Sequence, residues 1–195
     1  MYSELLKIFK MEKYCSYYTS DDCDKFFFGK IIALNKDEVA IQLYSTSGGN
    51  DGIIVKRLSD IYRIECDSKY NKKMEKLIGS DSIKSNIVID SNSIFESAVK
   101  VAIENALVIS IVLFDCDHVN ATGIPLSLDN EICTINQIDD YGQEDGITSF
   151  LFDNVTQIEI NTEYEQIIKK LMDEPWLSNK RFFYSCNYFI EKVSR

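Results

Sequence analysis

Four consecutive side chains, Asp115-Cys116-Asp117-His118, form the densest run of metal-capable groups in the chain, and the only histidine is among them. Carboxylate, thiolate and imidazole all ligate zinc. Successive strand residues point to opposite faces, however, so four in a row reach one ion only through a tight turn. Asp22-Cys23-Asp24 repeats the run without a histidine. A shared turn whose carboxylates accept from nearby backbone amides is the simpler account, and no metal is expected. Cys116 and His118 would share a strand face, as a thiol nucleophile and its base require, yet no orienting group or oxyanion loop accompanies them.

Other chemistry is sparse. Neither G-x-x-x-x-G-K-[S/T] nor G-x-G-x-x-G occurs, and Ser47-Gly48-Gly49-Asn50 reads as a hairpin loop rather than a phosphate cradle. Asp139-Asp140 and Glu144-Asp145 flank Gly142 without the spacing of a calcium loop. No cofactor is expected and no catalytic residue is assigned.

The residues are positioned by a repeat. Residues 29–78 align with 123–172 at an offset of 94, without a gap and with twelve identities. Gly29, Gly48 and Gly52 coincide with Gly123, Gly142 and Gly146, and glycine is retained where the backbone turns or is closely approached. Asp51-Gly52-Ile53 matches Asp145-Gly146-Ile147, and Ile64-Glu65 matches Ile158-Glu159. The pattern predicts a duplicated unit.

Within each copy, Val39, Ile41 and Leu43 alternate with polar neighbours as a half-buried strand does. A glycine-bearing turn leads into a second strand at 53–58, and Tyr62, Ile64 and Cys66 mark a third. Asp67-Ser68 and Asn161-Thr162 stand where period 2 gives way to helical spacing, and their oxygens suit a helix N-cap. Tyr70, Met74, Leu77 and Ile78, like Tyr164, Ile168, Leu171 and Met172, form one apolar helical stripe. Further strands are expected at 14–18 and 26–34, and at 107–114 and 123–128. Residues 5–11 and 95–105 fit helix or strand equally.

These features predict a mainly β protein with short helices (α+β): two tandem five-stranded small barrels, each followed by an amphipathic helix. The expected divisions are 1–78, a connector at 79–93, 94–172, and an aromatic tail at 173–195. That tail carries Trp176, Phe182 and Phe183, and is expected to dock on the barrels or on a neighbouring subunit.

The run Gly-Lys-Ile-Ile-Ala-Leu-Asn-Lys-Asp-Glu-Val-Ala-Ile-Gln-Leu at 29–43 resembles the second and third strands of Sm-like and SH3-like small barrels, and Lys56-Arg57 is similar to the second Sm motif. The resemblance implies a small barrel with a ligand pocket. Asn35 and Asp129 would stand at its turn, Ala40 and Thr134 at its base-contacting position, and Arg57 at its second motif. RNA or a nucleotide-like ligand is what such a pocket takes.

Charge separates the copies. Residues 1–78 carry a net +1, 79–172 a net −12 and 173–195 a net +1, giving −10 in all. That balance disfavours binding to a nucleic-acid backbone. Lys69, Lys72, Lys73 and Lys76 form a basic stripe on the first amphipathic helix, suited to an acidic partner or to the acidic half of another subunit. No apolar run reaches the length of a membrane span, and no secretory signal is recognised at Met1-Tyr2-Ser3, so a cytoplasmic protein with reduced cysteines is expected. The leading expectation is a non-enzymatic interaction or regulatory module that binds a basic protein partner and has scope to self-associate. Ligand binding in the Sm-like pocket, and a small enzyme using residues 115–118, stand as alternatives.

Overall fold

The structure, a computed structural model, describes residues 1–19, 25–79, 87–114, 119–129 and 131–173. The first half contains α1 (Tyr2–Lys10), β1 (Tyr14–Thr19), β2 (Phe27–Leu34), β3 (Glu38–Tyr44), β4 (Asn50–Arg57), β5 (Ile61–Cys66) and α2 (Lys69–Ile78). The second contains α3 (Ile94–Glu104), β6 (Ile109–Leu113), β7 (Ala121–Asp129), β8 (Ile132–Ile138), β9 (Glu144–Leu151), β10 (Val155–Ile160) and α4 (Glu163–Asp173). Two 3₁₀ turns, Leu58–Asp60 and Phe152–Asn154, join β4 to β5 and β9 to β10. From β3 to β5 every boundary recurs 94 residues later in β8 to β10. The backbone details recur too: Asp67 and Asn161 both take left-handed φ, at 60° and 56°.

The segments that fitted helix or strand equally are helical, and burial shows why. In α3 the buried residues are Ile94, Phe95, Ala98, Val99 and Ala102, one face of a 3.6-residue period. In α1 Leu5 and Ile8 are buried one turn apart. Ser68 caps α2 by accepting from the Asn71 amide at 3.1 Å, while buried Asn71 donates to the Glu65 carbonyl at 3.0 Å and ties the helix to β5. At the corresponding place before α4, the Glu165 carboxylate accepts from the amide and the hydroxyl of Thr162.

All ten strands belong to one antiparallel sheet in the order β5-β1-β2-β3-β4-β10-β6-β7-β8-β9. The expectation of two separate five-stranded barrels is therefore corrected. Each half does bend: a flat row of five strands is about 19 Å across at ~4.8 Å per strand, more than the three-residue turn after β4 can span to reach β5. Register shifts at Ile31/Ala33 and Gln42/Tyr44, repeated at Pro125/Ser127 and Asn136/Ile138, supply the bend. The halves do not close on themselves, because β4 spends its outer edge on β10. Ile53, Ile54, Val55 and Lys56 pair with Ile160, Glu159, Ile158 and Gln157.

Packing follows the same plan. One apolar cluster joins α1 to Cys15, Tyr17, Ile31, Val39, Ile41 and Ile54 within the first half. A second takes the opposite face of β3 and β4 (Ala40, Ile53, Val55), the buried face of α3, and Ile109, Ile135, Val155 and Ile158 of the second half. That cluster is continuous across β4 and β10, so the two halves share it, beside the cluster that belongs to the first half alone. Helices α2 and α4 cover outer faces through Met74 and Ile78, and through Ile168.

The cysteine expectation also changes. Cys15 and Cys66, cross-strand partners on β1 and β5, form a disulfide rather than two thiols. Cys133 is free and buried, and burial pushes its thiol up to about 11, so it is a core residue and not a nucleophile. Among the described residues, no helix is long and apolar enough to cross a membrane.

Candidate functional site

The pocket expected from Asn35, Ala40 and Arg57 is filled by the chain's own α3. The Asn35 side chain accepts from the amides of Asp37 and Glu38 at 2.9 and 2.8 Å and donates to the Ser91 carbonyl at 3.1 Å. Ala40 is fully buried. Arg57 donates to the Val155 carbonyl at 3.3 and 3.2 Å, meets Glu38 at 3.4 Å, and lies 4.6 Å from the centre of the Phe95 ring. Glu38 in turn accepts from the Ile94 amide at 2.7 Å, capping α3 from another element. Sequence reasoning missed Glu38, whose charge opposite Arg57 on adjacent strands was the available signal.

In the second half the matching positions do not converge on a site. Asp129 is exposed at the end of β7, and the Thr134 hydroxyl shares a 2.9 Å hydrogen bond with Ser149. Lys69, Lys72, Lys73 and Lys76 are all exposed on α2, which two residues separate from the end of β5. Residues 115–118, 22–24, Trp176, Phe182 and Phe183 lie outside the described residues. Among the described residues, no group of three His, Cys, Asp or Glu side chains could hold a metal ion.

The strongest geometric feature is the difference between matched strands at the centre and at the ends of the sheet. β4 is buried from Gly52 to Lys56, whereas β9 has six exposed positions, from Glu144 to Ile147 and at Ser149 and Leu151. Ile147 is 68% exposed and Leu151 52%, beside Ile132 at 48%. Ile132 and Leu151 occupy the positions of Glu38 and Arg57, so an ion pair in one half is replaced by an uncovered apolar pair in the other. Asp129, Glu131 and Asp153 are exposed close to this pair along the chain, and Glu144 and Asp145 are exposed at the other end of β9. The opposite end, β5, exposes Tyr62 at 48% and Arg63.

Polar groups are concentrated where β4 meets β10. Lys56, only 2% exposed, donates to the Gln157 side chain at 2.7 Å, and Gln157 donates to Glu159. Burial pushes the Glu159 carboxyl up to about 7, with repulsion from Glu165 adding to it. An open cleft of about 390 Å³ beside this junction is bordered by Asp51, Glu159 and Glu163.

No protein-family model, curated protein or solved structure matches this chain.

Proposed function

We propose that the chain is a non-enzymatic protein-interaction module that docks a basic protein partner through the β8–β9 end of its sheet. The observation that carries this is the state of β9: a strand whose outer edge is unpaired among the described residues, with uncovered Ile147 and Leu151 and exposed Glu144 and Asp145. An exposed edge is a template for strand addition, and soluble proteins blunt or cover such edges unless they use them. The apolar side chains give a desolvated centre and the carboxylates a rim that selects a positively charged partner.

The 94-residue recurrence supports descent of both halves from one duplicated unit whose surfaces then diverged. The divergence lies in charge and cover: the first half keeps Glu38 and Arg57 under α3, while the second exposes Ile132 and Leu151. The ligand-pocket alternative draws no support from the hydrogen bonds of Asn35 and Arg57, which are spent within the chain.

A photo-crosslinking residue at Ile147 should capture a protein in the cells that make this chain, and the capture should fall with added salt and with Glu144→Lys plus Asp145→Lys. The same crosslinker at Met11, exposed on the α1 side, serves as control. Equal yields from the two positions would overturn the reading.

A further inference from the structure

The two strands that end the sheet among the described residues are the counterparts of the two strands joined at its centre. β9 (Glu144–Leu151) corresponds to β4 (Asn50–Arg57), and β5 (Ile61–Cys66) corresponds to β10 (Val155–Ile160), each at the 94-residue offset. The chain thus carries one complete copy of a β4–β10 junction and, at its ends, one half of the same junction on each side. We propose that a second copy of this chain adds its β5 to β9, head to tail, in the register of β4 on β10. This rests on the reading of β9 as a docking strand and names its occupant.

The internal junction specifies the contacts. Transposing its register sets Ile147, Thr148, Ser149 and Phe150 opposite the neighbour's Cys66, Glu65, Ile64 and Arg63. Arg63 then faces an aromatic ring, a favourable pairing for a guanidinium. Exposed Ile147 would be covered, as its counterpart Ile53 is at the centre.

Gly146 supplies an independent indication. At the junction a Cβ on Gly52 would stand 2.5 Å from the Asn161 carbonyl, because the link after β10 crosses directly over it. Gly146 keeps the same left-handed φ, 89° against 73°, yet none of the described residues lies within 4 Å of its Cβ position. The chain that would fill that space is the link after β5, where Asp67 has the φ of Asn161.

Charge agrees as well. At the centre, the first amide of α4, on Glu163, donates to Asp51 at 2.9 Å. The transposed contact runs from the first residue of α2, Lys69, to Asp145, and the exposed Lys72, Lys73 and Lys76 follow on the same helix. The basic end of one copy therefore meets the acidic end of the next. Such an interface uses different surfaces on its two sides, so assembly continues until a ring closes or a chain grows.

Native mass spectrometry and sedimentation of the full chain, purified alone, provide the test. Expected are assemblies larger than the monomer that grow with concentration and shrink with salt. Lys69→Glu and Asp145→Lys, both at exposed positions, should each weaken association by about tenfold or more. Their equimolar mixture should recover assemblies in which the two variants alternate, since opposite charges face each other at positions 69 and 145 only across the two variants. A wild-type monomer at every concentration would overturn the proposal, and so would assemblies indifferent to both variants. A monomer whose β9 amides resist hydrogen exchange would overturn it too, because that edge would already be paired within the chain. If the protein is monomeric but Ile147 still crosslinks a different protein, the docking strand stands and only its occupant is wrong; if neither occurs, both fall.

Discussion

Glu159 is a carboxyl on the buried seam between β4 and β10, faced by Gln157 and Lys56, which favour its charge, and by Glu165 and Asp51, which oppose it. Burial outweighs them, and its proton is held up to about 7 against an ordinary 4.5. Below about pH 4.5 the group is protonated in both the folded and unfolded chain. As pH rises to about 7 the unfolded chain releases a proton that the folded chain keeps, so stability falls through that window and levels off above it. The loss is at most about 3 kcal/mol. Glu159→Gln preserves the acceptor for Gln157 without the charge. Denaturation midpoints for the variant and the wild type should coincide at pH 4 and separate by pH 8 in favour of the variant. A constant difference across that range would mean that Glu159 titrates normally.

Elements were legible wherever periodicity and chemistry agreed. Val39, Ile41 and Leu43 marked β3, and Ser68 marked the start of α2, because a single buried face or a cap leaves a local trace. The α3 segment was not resolved, since Val99, Val101 and Ile103 alternate as a strand would while Ile94, Ala98 and Ala102 follow a helix. The disulfide left a trace that spacing alone does not show. Cys15 and Cys66 stand at the counterparts of Ile109 and Ile160, a directly paired apolar couple, so the repeat sets the two sulfurs opposite each other. That bond pins the edge strand β5 to β1 and closes a separation of 51 residues, a constraint on the unfolded chain worth about 4 kcal/mol on a chain-entropy basis. A thiol reductant, or Cys15→Ser with Cys66→Ser, should lower the melting temperature. Hydrogen exchange should then speed first in β5, and an unchanged melting temperature would show that the bond constrains nothing.

At the scale of the whole molecule, the sequence pattern fixed which faces are buried and left open which edges meet. Period-2 alternation is blind to a strand's neighbour, so β4 closing on β5 and β4 reaching across to β10 look alike in a single chain. The one available hint was Ile53-Ile54-Val55, apolar on both faces where its counterpart Ile147-Thr148-Ser149 is not. Its consequence is a core shared by both halves: Ile158 on β10 is fully buried in one cluster with Ala40 and Val55 from the first half and Ile135 from the second. Unfolding should therefore be a single cooperative transition. Ile158→Ala, a truncation that leaves a cavity in that cluster, should cost about 2–5 kcal/mol. Amide exchange should accelerate by the same factor in β3 and in β8, because opening the shared cluster exposes both. Acceleration confined to β8, or two separate unfolding steps, would instead show halves that fold independently and merely touch along β4 and β10.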